Sequence, residues 1–318
     1  MQLNTVGIAG EMRCVVSNSD GSIKTDTGYQ KNLILNQGLD FFGGGKGYDI
    51  NQSCAIGGGN STPVATQTKL DAFIAITDGT NTTSDYSYVD AGDFLYKIWE
   101  QKQYRFEGLS NVNISELGLV SQGSASDYYL TTRVLLKDAL GAPTTITVKA
   151  GETLDIYYKV HKVISTTDKS YVINVLDGDG GAVPYNVVVR PIFVGNARAN
   201  EVTRTISLPS SGNTGFTSAD MSVITSFPTG ITEASSAFTL SPYVPSTFKN
   251  LAQINFGLNS ANAAIRTIGW ARDEYILYFF PFQMRLGRVS DDAPLTKTNK
   301  DTLTIPLEFS WGRYEGVL

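Results

Sequence analysis

The sharpest alternation of apolar and polar side chains lies near the end of the sequence, in residues 302–311. A period of two is typical of a strand that is buried on one face and solvated on the other. Pro306 cannot donate a hydrogen bond to a neighbouring strand, which favours a sheet edge or a bulge. Edge strands are common docking sites for other chains. We therefore expect a candidate interface strand made of Leu303, Ile305, Pro306, Leu307, Phe309 and Trp311.

Strand patterns also dominate the remainder of the chain. Residues 154–160 alternate apolar and polar side chains, and residues 187–190 are typical of a more buried strand. The Gly-containing segments 138–143 and 176–181 supply turn chemistry between such strands. These patterns predict an all-β fold.

Helical spacing of apolar residues occurs at two places near the start. In residues 32–42 apolar side chains recur at this spacing, and Gly43 is placed to end the element. In residues 62–74, Thr62 is placed to cap a helix and Pro63 fits its first turn. We therefore expect two short N-terminal helices beside the strands.

Composition agrees with the strands and excludes one class of function. The 318 residues include 31 glycines, 11% aromatic residues and only 17% charged residues, a profile of β-rich proteins. This length fits one large β unit or two domains. The net charge of −5 is small and has the wrong sign for binding phosphate backbones, so general nucleic-acid binding is not expected.

One histidine and two cysteines limit the chemistry that the chain can perform. A Ser-His-Asp triad would have to use His161, and a zinc site of three His or of paired Cys cannot be built. His161 is out of phase with the apolar residues of its strand, so we expect it to be solvated. We expect Cys14 and Cys54 to be buried thiols. No catalytic, cofactor-binding or metal-binding residue is assigned.

The sequence predicts neither a cleaved leader nor a membrane span. The first ten residues lack the basic and apolar regions of a signal peptide. The longest apolar run, in residues 275–280, is far shorter than the ~20 residues that cross a bilayer.

Three loops resemble ligand-binding loops only in part. Near residues 43–47, Asp40 stands where a phosphate-binding loop needs its first glycine, and Gly47 where it needs Ser or Thr. We interpret these glycines and those of residues 57–59 as loop glycines that permit positive φ. After Asp177, the position for a calcium-binding Glu holds Val188, so a tight turn is favoured.

A carboxylate is predicted on the apolar face of one strand. In residues 112–120, Glu116 shares a strand face with Val112 and Ile114. A carboxylate among apolar side chains needs a cationic partner, and Arg133 in the following strand is the nearest candidate. We therefore expect a buried or half-buried pair between Glu116 and Arg133.

Two further chemistries stay open at this point. A glycosidase needs two carboxylates at a set distance, and Asp291 and Asp292 are adjacent in the sequence, although adjacent strand residues point to opposite faces. Exposed aromatic residues could form platforms for sugars, although core packing accounts for most aromatic residues of a β fold. The candidates include Trp99, Trp270 and Trp311.

Composition also suggests how the chain is divided. Residues 203–250 are poor in charge and dense in Ser, Thr, Gly and Pro. We interpret residues 201–264 as an ordered arm or insertion that lies on the parent sheet or on a neighbouring subunit. Residues 1–200 would then form the main β-sandwich, and residues 265–318 would supply C-terminal strands that return to it.

Several segments together resemble a group of tailed-bacteriophage virion structural proteins. The opening of that group has an "NLI…GLD" helix and a "GxGxxxPxxxxTxL" stretch, which TGYQKNLILNQGLDFF and CAIGGGNSTPVATQTKLDAFI resemble. YRFEGLSNVNISELGLV, YYLTTRVLLKDALGAPTTITVKAGETLDIYYKV and KTNKDTLTIPLEFSWGRY resemble its later strands. The similarity spans most of the chain and is thin over residues 200–264. Together with the strand patterns, it implies an antiparallel jelly-roll-like β-sandwich.

The resemblance implies assembly and not catalysis. The expected function is that of a structural component of a tailed-phage virion, assembled in the host cytoplasm, most simply a ring-forming tail, collar or baseplate protein. Its partners would be other copies of itself and neighbouring virion proteins, and a surface of low charge lowers the desolvation cost of such contacts. The alternatives are a module that binds host-surface glycan in receptor recognition and a head decoration protein. An enzyme ranks last, and no cofactor is expected.

Overall fold

The computed structural model describes residues 1–43, 50–88, 94–124, 127–176, 180–192, 211–269 and 282–318. Strands dominate these ranges, and the prediction of an all-β fold is confirmed. The first half of the chain forms β1 (Val6–Ser17), β2 (Ile23–Asp26), β3 (Gln30–Lys31), β4 (Leu33–Ile34), α1 (Asn36–Gly43), β5 (Ser53–Gly57), β6 (Phe73–Tyr88), β7 (Leu95–Phe106), β8 (Val112–Ile114), β9 (Glu116–Ser124), β10 (Asp127–Leu130), β11 (Thr132–Leu135), β12 (Ile146–Val148) and β13 (Thr153–Ser165). The second half forms β14 (Lys169–Leu176), β15 (Ala182–Pro191), β16 (Ser211–Thr217), β17 (Thr232–Leu240), β18 (Lys249–Phe256), β19 (Ala264–Ile265), β20 (Thr267–Gly269), β21 (Phe282–Arg288), β22 (Leu295–Thr296) and β23 (Leu303–Arg313).

One of the two predicted helices is present in the described ranges. Helix α1 buries Leu39 and Phe42, as its apolar spacing predicted, and ends at Gly43. The helix predicted in residues 62–74 is wrong, because this segment forms turns that lead into β6. Its backbone N–H groups near the end, such as that of Ala72, donate to a distant carboxylate instead of to a preceding turn of helix. Within the described ranges, no helical segment is long and apolar enough to cross a lipid bilayer.

The strands of the first half close into a ring of hydrogen-bonded pairs. Strands β1, β13, β7, β6, β5, β9 and β11 pair in this order, and all of these pairs are antiparallel. β3 pairs with β1 while β4, two residues further along, pairs with β11 and completes the ring. The ring encloses fully buried side chains, among them Met12, Tyr104 and Tyr158.

The strands of the second half form a curled sheet of their own. Strands β14, β15, β21, β20, β16, β17, β18 and β23 pair in this order, again antiparallel. The N-terminal residues bridge its two ends. The Glu308 N–H of β23 donates to the carbonyl of Met1 over 2.7 Å, and the Tyr171 hydroxyl of β14 donates to the carbonyl of Gln2 over 2.5 Å. The buried face includes Val187, Ile268, Met284, Phe238, Ile254 and Ile305.

The described part of residues 201–264 is not an arm. Residues 211–256 supply β16, β17 and β18, which lie inside the second sheet between β20 and β23. Their low charge is explained by this position, because alternate residues of these strands face the core. The C-terminal strands of residues 265–318 join this same sheet, and β23 also pairs in parallel with β1, where Val6 lies opposite Trp311.

Both cysteines are free and buried, as predicted from the sequence. Burial in an apolar surrounding disfavours the thiolate and raises the pKa of Cys14 to about 12. Burial likewise raises the pKa of Cys54. The two thiols are therefore protonated at neutral pH.

Neither thiol should react with iodoacetamide in the folded protein at pH 8, because the reagent needs an accessible thiolate. After denaturation both thiols should be alkylated. Mass spectrometry of the intact chain before and after unfolding measures this difference. Alkylation of the folded chain at the rate of the denatured chain would contradict the burial of Cys14 and Cys54.

Candidate interaction surfaces and buried polar sites

The structure brings Glu116 and Arg133 together. Glu116 begins β9 and lies opposite Leu135 of β11, which places the side chain of Arg133 within reach. The Arg133 Nε–H donates to Glu116 Oε2 over 2.8 Å, and both side chains are fully buried. The pair predicted from the strand pattern is therefore present.

The pair also fixes the loop that precedes β6. Glu116 Oε1 accepts the backbone N–H of Gly59 at 3.0 Å and that of Ala72 at 2.8 Å. Arg133 donates to Asp71 Oδ2 at 2.7 Å and to Gln67 Oε1 at 2.8 Å. The loop is thus tied to β9 and β11 at both of its ends. The loop residues of this network could not be predicted from the sequence, because nothing in their local pattern points to a partner some fifty residues away.

Two glycines permit the close approach of this loop to the carboxylate. A Cβ atom on Gly57 would lie 2.6 Å from Glu116 Oε1, and one on Gly59 would lie 2.4 Å from it. No heavier side chain fits at such distances. The interpretation of these glycines as positive-φ residues is therefore wrong, since the constraint is the space beside the carboxylate. Residues 44–47 of the other glycine cluster lie outside the described residues.

Asp71 completes the network at its exposed side. A hydrogen bond from the Ser61 hydroxyl lowers the pKa of Asp71, and the guanidinium of Arg133 acts in the same direction. The carboxylate is therefore ionised at neutral pH. Arg133 thus faces two negative charges and has no need of an external anion.

Replacement of Arg133 by Met should destabilise the chain by about 3–5 kcal/mol, because it leaves the buried Glu116 without its cation. The free energy of unfolding from urea denaturation measures the loss. The matched control is Arg13→Met, which breaks the partly exposed pair of Arg13 with Asp26 and should cost at most about 1 kcal/mol. Equal losses in the two variants would contradict the role given to the buried pair.

The C-terminal strand has the face predicted for it. Strand β23 pairs with β18 from Leu303 to Ser310, and its inward side chains pack in the core. The buried residues are Leu303, Ile305, Leu307, Phe309 and Trp311. The prediction of a strand with one buried face is confirmed.

The second edge of β23 is covered by the start of the same chain. The Leu3 N–H donates to the Glu308 carbonyl at 2.9 Å, and the Met1 amino group donates to the Pro306 carbonyl at 2.7 Å. Residues 306 and 308 direct their backbone groups to this side, so the pairing of Pro306 with Gln253 of β18 needs no donor from the proline. Docking of another chain on this strand stays a prediction, and that chain would have to displace the N-terminal residues.

Trp311 joins the two groups of strands and is not an exposed sugar platform. Its indole N–H donates to the Leu39 carbonyl of α1 at 2.8 Å, and it is buried. The ring lies 5.6 Å from that of Tyr243, whose hydroxyl donates to Asp40 of α1 at 2.6 Å. Trp311 thus connects β23 to the helix. Trp270 lies outside the described residues.

A second set of aromatic residues lies on the outer face of β1, β13 and β7. The Lys159 ammonium lies 4.3 Å from the ring centre of Tyr29 and 4.8 Å from that of Trp99. Both rings therefore have a cation against a face that a sugar would need. Binding of glycan here would require the lysine to move away.

His161 is buried, so the expectation of a solvated histidine is wrong. It belongs to this same outer face, but it lies between Ala9 of β1 and Trp99 of β7 and is only 6% exposed. Its Nε2 atom lies 3.2 Å from Glu11 Oε2. This contact lowers the pKa of Glu11. The histidine is thus the neighbour of a carboxylate on the adjacent strand β1.

The adjacent acids Asp291 and Asp292 are both paired with arginine. Arg285 donates to Asp292 at 2.6 Å, and Arg288 lies 3.3 Å from Asp291. The hydrogen bond from Arg285 lowers the pKa of Asp292. The general acid of a glycosidase needs a raised pKa, so this pair fits the stabilisation of a turn better than catalysis. Within the described ranges, no group of three or more His, Cys, Asp or Glu is placed to hold a metal ion.

A cavity of about 340 Å³ lies between residues 31–34, β11 and the C-terminal residues. Most of its lining is apolar. Of its cationic groups, Arg313 donates to the Ile34 carbonyl and Lys31 to the Gly316 carbonyl. These side chains hold the C-terminal residues against the first ring, so the cavity is a packing gap between these segments of the chain.

Several exposed carboxylates are held ionised by arginine or hydroxyl donors. The hydrogen bond from Arg13 lowers the pKa of Asp26 to about 2. The pKa of Asp71 and that of Asp292 are lowered for the same kind of reason. A lowered pKa in the folded state means that the stabilisation is complete above the pKa of the unfolded chain and is lost as the pH falls through the folded value.

The free energy of unfolding should therefore fall as the pH drops from about 4, near the pKa of unfolded Asp, to about 2. Urea denaturation at a series of pH values measures this loss. In the variant Asp26→Asn the loss over this interval should be smaller, because one of the titrating groups is absent. Identical pH profiles for the two proteins would contradict the assignment to Asp26.

Comparison of the chain with protein-family models, with curated proteins and with solved structures found no match. The function must therefore be argued from the residues and their geometry.

Proposed function

We propose that the chain is a structural component of a tailed-phage virion, a ring-forming tail, collar or baseplate protein that acts through contacts between subunits. The finer description of the fold, an antiparallel jelly-roll-like β-sandwich, belongs to the same proposal. Strand pairs that are nearly all antiparallel, in two curled groups joined by β23, support that description. The partners would be other copies of the chain and neighbouring virion proteins, and the location would be the virion.

The observation that carries the proposal is how the segments resembling virion proteins are connected to one another. The Glu116 and Arg133 network joins three of them, since it includes the loop before β6, strand β9 and strand β11. Trp311 joins the closing segment to α1 in the opening one. The polar groups of these segments bind one another. This suits a structural role and leaves few of these groups to bind a substrate.

Charge distribution gives further support. Salt bridges within the chain hold many of the described charged side chains, such as Arg190 with Asp168 at 2.6 Å and Arg285 with Asp220 at 2.7 Å. Charges already paired within a subunit lose less hydration when two subunits meet. The surface therefore suits repeated protein–protein contact better than attraction of a charged ligand.

Immunogold electron microscopy of the phage that encodes the chain tests this function. Antibodies against the purified chain should label the tail, the collar or the baseplate, and quantitative mass spectrometry of the particles should give several copies per virion. Pre-immune antibodies provide the control. Label over the whole head at high copy number would favour a head decoration protein instead. Absence of the chain from purified particles would overturn the proposal.

A further inference from the structure

Strand β14 is the longest strand of the described part of the chain that has a strand partner on one side only. It pairs with β15 over its full length, from Lys169 opposite Val189 to Leu176 opposite Ala182. The first ring is closed except along residues 80–88 of β6, which pair with β7 only among the described residues, and β23 is covered by the N-terminal residues. The other one-sided strands of the described ranges have two to four residues. Within the described residues, the second sheet therefore has one long edge without a strand partner, and the N-terminal residues contact this strand only through the side chains of Lys169 and Tyr171.

The register identifies which residues present their backbone groups at this edge. The Pro184 carbonyl of β15 accepts the Val289 N–H and so points away from β14. Asn174, opposite Pro184, must then point away from β15. Every second residue behaves alike, so the N–H and C=O groups of Ser170, Val172, Asn174 and Leu176 face outward and have no strand partner among the described residues.

This edge lacks the features that usually protect edge strands. Natural edges carry charged side chains, prolines or bulges that discourage pairing with another chain. From Ser170 to Leu176 the strand has no charged residue, proline or glycine, and its pairing with β15 is regular. Val172 is 66% exposed and Leu176 is 73% exposed on the same face. Their neighbours on β15 are also uncharged, namely Ala182, Pro184, Asn186 and Val188.

We propose that β14 pairs with β14 of a second copy of the chain, antiparallel, about a two-fold axis at Ile173. An uncharged face meets its own copy without like-charge repulsion, which a charged edge could not do. In this register all four outward residues form hydrogen-bonded pairs, Ser170 with Leu176 and Val172 with Asn174 of the other copy.

The inner face of β14 is also complementary to itself in this register. Ile173 lies opposite Ile173 of the other copy, and Tyr171 lies opposite Val175, a pairing of aromatic and β-branched side chains that stabilises antiparallel strands. These three residues already pack against the hydrophobic core. The apolar layer of the second sheet in one copy would therefore continue into the apolar layer of the second sheet in the other copy. This contact goes beyond the proposed function and does not depend on it.

Single cysteine variants of the full chain test the register. Residue 173 faces its own copy in a non-hydrogen-bonded pair, where the Cα atoms lie about 4.5 Å apart, within reach of a disulfide. Mild oxidation of Ile173→Cys should give a covalent dimer on a non-reducing gel. Val172→Cys and Asn174→Cys should give little, because each lies opposite the other and not opposite itself. The buried native thiols, Cys14 and Cys54, should not contribute.

Sedimentation velocity over a range of concentrations tests the contact itself. The unmodified chain should show a dimer that Asn174→Pro abolishes, since the proline removes an outward donor and leaves the bonds to β15 in place. Val172→Lys should also abolish it. The matched control Leu251→Lys places the same charge on an exposed residue of β18 and should leave the dimer unchanged.

Two results would overturn the pairing. One is a chain that is monomeric at all concentrations and whose Ile173→Cys variant forms no disulfide. This result includes the case in which β14 binds a strand of a different protein and not its own copy. The other is a dimer that survives both Asn174→Pro and Val172→Lys. Either result leaves the labelling of virions unaffected, so failure of this contact and failure of the proposed function are distinguishable.

Discussion

The fold of the first half depends on a charge that is buried together with its partners. A carboxylate buried between a strand and the loop that covers it loses the hydration that stabilises it, and a single cation seldom compensates for that loss. Glu116 also accepts backbone N–H groups from the loop before β6. The loop therefore takes the conformation that satisfies the carboxylate, and its glycines provide the space. One buried side chain thus determines the conformation of this loop, which has few apolar residues of its own to pack into a core.

The second constraint is the closure of strand edges by the chain's own ends. The N-terminal residues bind β23 on one side and side chains of β14 on the other. Trp311 then anchors the end of β23 beneath α1. The two groups of strands consequently share one hydrophobic core, and the residues that connect them come from opposite ends of the sequence.

Features that depend on neighbouring residues could be predicted from the sequence. The alternation of β23 gave its buried face, and the position of Glu116 on an apolar face required Arg133. Features that depend on distant residues could not. The helix expected in residues 62–74 is absent because Glu116 takes its N–H groups, His161 is buried by strands on both sides, and the edge of β23 is covered by residues about three hundred positions away. The uncharged sequence of β14 did carry a signal, but an edge is visible only once the pairing order is known.

The number of open edges limits how such a chain can assemble. Pairing of β14 with its own copy about a two-fold axis uses the same edge of both copies, so this contact closes at two copies. A ring would then need a different, head-to-tail contact between side faces, made by side chains and not by backbone ladders. The covered edge of β23 fits this division, because its backbone groups already bind Met1 and Leu3 of the same subunit and take no part in a contact between copies. An assembly that combined the two contacts would be a pair of rings related by two-fold axes.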